Sequence, residues 1–386
     1  MRHAPFIATV LLLLAGLWLR WPSVRYKGVG TQRVYNDYIF DHFAYSDIAS
    51  LFFRDRLRTQ PLPYLDYPLE YPVGMGGFIL LLNTFTTTVR SYMLLSSAVL
   101  GLCLLATVWL VDRLPQGKRW LAALAPGIAL YSNLNWDGWG ILLMVAALVL
   151  GFRHHWLWAG LLWGMAVWTK FFPIVCLPLV SVLLLRERDW RALWHWIAGI
   201  AAASLVINGP LLLVRPDAWW YFFRFNSERG REINLWTLFD RWGITTATIN
   251  RWSAILLVLG VAVMMGLVWR SREPRLVAAC CALIAWFFFI NKIYSPQYSL
   301  WISILLAGAG APVALVVAWG AIDIVYFWAS FSTLGLSRYP GAGDWFVAHT
   351  LMPAMVGREL LLLVVMAWAM WQLRTRRRAT PAAQPA

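Results

Sequence analysis

The chain has 386 residues, 60% of them hydrophobic and only 13% charged, with a mean hydropathy of +0.61. Soluble domains are about a quarter charged, so a single water-soluble core is excluded, and long apolar runs rather than short alternating ones set aside a membrane β-barrel. A net charge of +15 raises nucleic acid as a partner, but the arginines fall in short clusters between apolar spans and at the C-terminus, which is the pattern of membrane topology.

The start, Met1 to Trp21, joins Arg2, an apolar run and Arg20. No small-x-small cleavage site follows, so a retained first span is expected rather than a cleaved signal peptide. With 5–21, the expected spans are 91–112, 120–133, 136–151, 156–169, 172–186, 192–214, 253–270, 275–290, 297–309, 312–331 and 352–373, about twelve in all. Residues 73–88 are apolar enough to suggest another span. A full crossing there would put the termini on opposite sides and contradict either Arg2 or the C-terminal arginines, so a re-entrant or surface helix is expected. Cys103, Cys176, Cys280 and Cys281 lie within spans, at spacings that suggest neither a metal site nor a disulfide framework.

Arg374, Arg376, Arg377 and Arg378 place the C-terminus in the cytoplasm by the positive-inside rule. Walking backwards, the inner turns become 270–275, 186–191, 153–155 and 112–119, and every one is basic. The turn at Gly310-Ala311 carries no charge. The opposite loops are 22–90, 133–136, 169–172, 215–252, 291–296 and 332–351. The expected fold is therefore an all-α polytopic membrane protein, one transmembrane domain over 1–373, followed by a basic, disordered cytoplasmic tail over 374–386. The first long outer loop holds an expected interfacial helix near Ser46–Arg58, with Ile48, Leu51, Phe52 and Leu57 on one side and Arg54, Asp55, Arg56 and Arg58 on the other. Prolines 61, 63, 68 and 72 follow. The second long loop opens on Trp219-Trp220-Tyr221-Phe222-Phe223-Arg224, a composition suited to the headgroup level.

This topology sends four polar stretches to one side: Tyr45-Ser46-Asp47, Asn133–Asp137, Lys170–Pro173 and Asn291–Gln297. Asp47 opens the expected helix and has two readings, a helix-start carboxylate or a general base. Asp37, Asp41, Asp55, Asp66 and Glu70 share its loop and compete for the second role. Lysine is rare, four against 29 arginines. Lys170 and Lys292 both stand against the positive-inside bias, and either snorkel to the interface or bind phosphate as point charges. Asn135 and Asp137 begin a span, where Asp137 either caps the helix or faces a cavity. Tyr294, Ser295 and Gln297 follow Lys292, and Pro296 suits a first helical turn. A helix N-terminus aimed there would favour an anion. Arg224, Arg229 and Arg231 are further candidates, or lipid-headgroup contacts. His42 and His349 are the outer histidines, and Asp323 is an intramembrane carboxylate that either functions or pairs locally. No Walker, Rossmann, HExxH or CxxC pattern occurs.

The order of Tyr45-Ser46-Asp47-Ile48, Pro63-Tyr64-Leu65-Asp66, Leu69-Glu70-Tyr71-Pro72-Val73-Gly74, Asn135-Trp136-Asp137, Lys170-Phe171-Phe172-Pro173 and Ser295-Pro296-Gln297-Tyr298 with Trp301 resembles the GT-C class of integral-membrane glycosyltransferases, and more specifically glycosyltransferase family 87. The resemblance implies inverting transfer of a sugar, mannose foremost, from a polyprenyl-phosphate carrier to a hydroxyl of a glycolipid or glycan at the outer face of a bacterial-type plasma membrane. Carried over, Asp47 is the base, and Lys292, Lys170, Tyr294 and Gln297 receive the donor phosphate. Tyr45, Glu70, Tyr71, Asn135, Asp137, Arg224 and His349 are the expected substrate contacts. Some GT-C enzymes pair two acidic residues in the first loop for a metal. Asp47 has no acidic neighbour in sequence closer than Asp41 and Asp55, so no metal is assumed. The implied partners are the lipid-linked donor, the acceptor and membrane lipids. The rival reading is a transporter of lipid-linked sugars, which would need polar groups near the midplane. Asp323 and Asn208 are the main ones on offer.

Overall fold

The computed structural model describes residues 3–25, 32–271, 273, 275–337, 339 and 341–374, and the tail expected over 374–386 lies outside them apart from Arg374. The described residues are helical and contain no strand. Five helices are long and apolar enough to cross a membrane: Val89–Val111, Trp190–Val214, Thr246–Arg270, Val313–Leu336 and the nearly continuous stretch Ala342–Leu373. Other expected spans are shorter for visible reasons. Pro126 divides 120–133 into Arg119–Ala123 and Gly127–Tyr131, and the stretch after Lys170 begins as a 3-10 turn, Phe172–Cys176, around Pro173. Ala4–Leu19, Asp137–Phe152 and Leu276–Ile290 are apolar helices of 16, 16 and 15 residues. At ~1.5 Å per residue these fall short of a ~30 Å hydrocarbon core. Val73–Thr84 has only 12 residues.

The bundle has two chemically distinct ends. Three helices start beside a basic or histidine turn and finish at a polar stretch, or the reverse: Asp137–Phe152 runs to Arg153, Trp156–Lys170 runs from His155, and Leu276–Ile290 runs from Arg275 to Asn291. Basic side chains of three such turns bond to neighbouring segments. Arg186 donates to the Val268 carbonyl at 3.1 Å, Lys118 to the Ala311 carbonyl at 3.0 Å, and Arg275 to Gln372. At the other end Asp47, Leu134, Lys170 and Lys292 line one cavity.

Packing inside the bundle relies on small residues. In Trp156–Lys170 and Trp190–Val214, Gly160 and Gly164 face Gly199 and Ala203. A Cβ on Gly160 would strike the Trp196 carbonyl, and one on Gly199 would strike the Leu157 carbonyl. Between apolar helices in lipid, close packing and not hydrophobic burial supplies the association, and Trp163 and Trp196 cover the crossing edge-to-face at 5.4 Å. Gly199→Leu is expected to cost about 1–3 kcal/mol or more. Thermal unfolding and monodispersity in detergent would show it; an unchanged midpoint would mean this crossing does not hold the bundle.

The expected helix near Ser46–Arg58 is Asp47–Arg54. It stops early because the chain turns at Arg56, where φ is 51°. Ile48, Leu51 and Phe52 are buried inside the protein, in one apolar cluster with Tyr92, and Asp55, which Arg54 grips, is buried too. Asp323 and Asn208, the polar groups on offer within the spans, both have hydrogen-bond partners. Asp323 accepts from the Tyr131 hydroxyl at 2.7 Å, and Asn208 donates to the Ser204 carbonyl and accepts from Trp219 Nε1.

Candidate active site

The Asp47 loop is clamped onto residues 133–135. The Asp47 amide donates to the Leu134 carbonyl at 2.8 Å, and the Ser46 hydroxyl donates to the Asn133 carbonyl at 2.6 Å. Ser46 thus occupies the N-cap position without capping its own helix. The Asp47 carboxylate does not cap it either: Oδ1 accepts from the Tyr45 hydroxyl at 2.7 Å and Oδ2 from Asn135 Nδ2 at 2.6 Å. Asn135 Nδ2 also reaches the Tyr71 hydroxyl at 2.8 Å, and its Oδ1 accepts from the Trp136 amide. Asn135 is therefore fixed on every side and fixes Asp47 in turn. Burial raises the Asp47 carboxyl above the ordinary range, opposed by the Tyr45 and Asn135 hydrogen bonds and by the charge of Lys170. The group is neither fully solvated nor locked by an ion pair.

Tyr45, Asp47, Tyr71 and Lys170 line a cavity of about 710 Å³. Of the expected site residues, Asp47, Tyr45, Glu70, Tyr71, Lys170, Lys292 and Gln297 reach its wall. Asn135 stands behind the wall as the support of Asp47. Asp137 is fully buried, accepting from Trp301 Nε1 at 2.8 Å and pairing with Lys170 Nζ at 3.2 Å. This corrects two expectations, since Asp137 serves as a counter-ion and the Lys170 charge is already met. Lys170 lies over the rings of Tyr71 and Tyr298, at 5.0 and 5.6 Å. The next residue, Phe171, has φ 48°, outside the usual range for a side chain. Its ring is held against Phe222 and Phe223.

Three expected contacts are misplaced. Tyr294 is buried away from the cavity, stacked on Phe288 and covered by the Arg358 guanidinium 3.6 Å from its ring centre. Its carbonyl accepts from Arg358 at 2.9 Å, which anchors the Asn291–Gln297 turn from behind. His349 is exposed, bonded to the Trp345 carbonyl and stacked on the Trp345 ring. Arg224 is exposed over Tyr221.

The phosphate-side expectation gains residues that the sequence did not single out together. Lys292 Nζ donates to the Ser227 carbonyl at 3.0 Å, a contact that leaves its charge unneutralised. Burial first, and Arg229 second, lower its ammonium to about 8. Arg229 Nη2 pairs with Glu232 Oε1 at 3.2 Å, and the Ser295 hydroxyl donates to both Glu232 oxygens, at 2.9 and 3.0 Å. The Glu232 amide donates to the Lys292 carbonyl, and Asn234 Nδ2 to the Asn291 carbonyl. The second long loop is thus stitched to the Lys292 turn. Glu232 was missed because Arg229-Gly230-Arg231-Glu232 reads as a solvated charge run. Its only signal is a carboxylate among arginines in a loop already rich in aromatics. Across the cavity mouth, Glu70 is gripped through both oxygens by Arg54, at 2.6 and 2.7 Å. Among the described residues no three His, Cys, Asp or Glu side chains gather as a cation site.

The arrangement can remove a proton at Asp47 and hold an anion at Lys292 and Arg229. A family model described as glycosyltransferase family 87 matches residues 70–296, more than half of the chain. The match spans Glu70, Asn135, Lys170, Glu232 and Lys292, begins after Asp47 and ends just before Gln297.

Proposed function

Because the chain belongs to glycosyltransferase family 87, we propose that it is an inverting transferase that moves a sugar, mannose foremost, from a polyprenyl-phosphate carrier to a glycolipid or glycan hydroxyl at the outer membrane face. The carrying observation is a half-buried carboxylate, pinned by two donors, sharing one cavity with a cation that no carboxylate among the described residues neutralises. The acceptor hydroxyl gives its proton to Asp47 as its oxygen bonds to the anomeric carbon. The anomeric carbon–oxygen bond breaks, and its electron pair leaves on the phosphate oxygen. Fixed positive charge at Lys292 and Arg229 meets the negative charge that develops there. Lys170, paired with Asp137, sits on the other side, where its charge adds to the Tyr45 and Asn135 hydrogen bonds in opposing the rise that burial imposes on the Asp47 carboxyl.

The one-ended distribution of basic turns supports cytoplasmic termini with the cavity opening outward. Purified protein in detergent, given radiolabelled polyprenyl-phosphate mannose and a glycolipid acceptor, is expected to form a glycoside of inverted configuration and release polyprenyl phosphate. Protein that forms no glycoside, and only moves the intact lipid-linked sugar across proteoliposome membranes, would be a transporter instead.

Asn135 touches no substrate in this scheme and acts by aiming Asp47. Asn135→Leu is expected to lower turnover by about 10²-fold, the scale of a misplaced reacting group, with donor KM little changed. A rise in KM with unchanged turnover would reassign Asn135 to binding.

A further inference from the structure

We propose that Glu232 is the residue that reads the donor sugar, accepting hydrogen bonds from its hydroxyls beside the phosphate-holding cations; this rests on the donor reading above. Sugar hydroxyls donate, and lysine and arginine have no acceptor to offer them. Reading the protons of those hydroxyls therefore needs an acceptor near the point where phosphate and sugar join.

Among the described residues three carboxylates line the cavity: Asp47, Glu70 and Glu232. Asp47 takes Tyr45 and Asn135, one on each oxygen, and is committed to the acceptor's proton. Glu70 is held in a two-pronged ion pair with Arg54. Glu232 differs in its neighbours, being tied to the phosphate-side groups. Its Oε1 takes Arg229 and Ser295, and Oε2, with Ser295 at 3.0 Å as its single donor, keeps acceptor capacity. Its position is set by the backbone as well, since its amide donates to the carbonyl of Lys292 itself. A carboxylate held this close to phosphate-binding cations works against anion binding by charge alone. Its placement is accounted for if it binds the part of the donor that carries no charge. The direction of the hydrogen bonds agrees: Ser295 and Arg229 both donate to the carboxylate, which orients it and leaves Oε2 room for a second donor.

The test is donor-lipid binding in detergent, read by quenching of the protein's own tryptophan fluorescence. The probes are short-chain prenyl phosphates bearing mannose, glucose, galactose or arabinose, and the bare prenyl phosphate. Wild type is expected to prefer one sugar. Glu232→Gln keeps the side chain's shape and is expected to compress that preference by about ten- to hundredfold, the worth of a hydrogen bond to a charged group, while affinity for the bare prenyl phosphate is retained or rises, because a negative charge beside Arg229 is removed. Ser295→Ala, which keeps the carboxylate but removes its donor, is expected to compress the preference partially, so the assignment is readable even if Glu232→Gln unfolds. Lys292→Met is expected to weaken all five lipids together. The assignment is overturned if both Glu232→Gln and Ser295→Ala keep the wild-type ranking and spread, or if wild type binds all four sugars alike. If wild type binds no prenyl phosphate at all, the donor reading itself falls and takes this assignment with it.

Discussion

Asp47→Asn is expected to reduce sugar transfer by about 10²–10⁴-fold, the range supplied by a positioned general base, while leaving the protein folded. The substitution is well matched to the site. The new amide oxygen can accept from Asn135 Nδ2, and the new NH₂ can donate to the Tyr45 hydroxyl, which is able to accept as well as donate. Neither neighbour is stranded, so the hydrogen-bond geometry at 2.6 and 2.7 Å survives and only the ability to take a proton is lost. The measurement is single-turnover transfer from radiolabelled polyprenyl-phosphate sugar, alongside a thermal midpoint in detergent. Activity within tenfold of wild type in a folded variant would remove Asp47 from the base role. Glu232 and Glu70 would then be the lining carboxylates to test.

The same contacts explain what could be read from the chain and what could not. Asn135, Lys170 and Lys292 were visible because each is a rare polar group at the end of an apolar run, and Asp47 because it opens an amphipathic helix in the first long outer loop. Charge-based topology sends the ends of alternate runs to the same side. What a topology cannot supply is side-chain direction. Tyr294 follows Lys292 by two residues, yet its ring turns inward onto Phe288 while Lys292 and Gln297 face the cavity. His349 lies in a π-helical turn that keeps it on its own helix. Asp137 and Lys170 are 33 positions apart, so their ion pair is a product of packing between neighbouring helices. Glu232 becomes a site residue only through contacts to Lys292 and Ser295, which lie about sixty residues away in the chain. The apolar pattern, likewise, located most of the helices but not their lengths. Prolines 126 and 173 shorten runs that hydropathy alone reads as continuous.

Lys292→Met is expected to lower kcat/KM by about 10²–10³-fold, the cost of removing one fixed group from developing charge. The pH dependence separates this role from simple packing. Burial, and Arg229 after it, lower the Lys292 ammonium from 10.5 to about 8. The free enzyme therefore holds this charge below about pH 8 and loses it above, so kcat/KM should fall on the alkaline side with a midpoint near that value. The acid side should fall as Asp47 takes up a proton, at a pH above the ordinary carboxylate range because burial raises that group. The product of the two is a bell. Lys292→Arg keeps a charge that does not titrate in this range, so it should retain part of the activity and lose the alkaline limb. Lys292→Met should lose the limb and most of the rate together. Lys170→Met offers the contrast. It strands Asp137, a buried carboxylate, and the break of a buried pair costs about 3–5 kcal/mol, so its main effect should be on stability, with a donor KM that moves less. If Lys292→Met keeps the alkaline limb, the titrating group is elsewhere and the phosphate is held by Arg229 without it. If Lys292→Arg is as inactive as Lys292→Met, shape at the Ser227 carbonyl matters more than charge, and the lysine is a latch on the second long loop instead of an anion site.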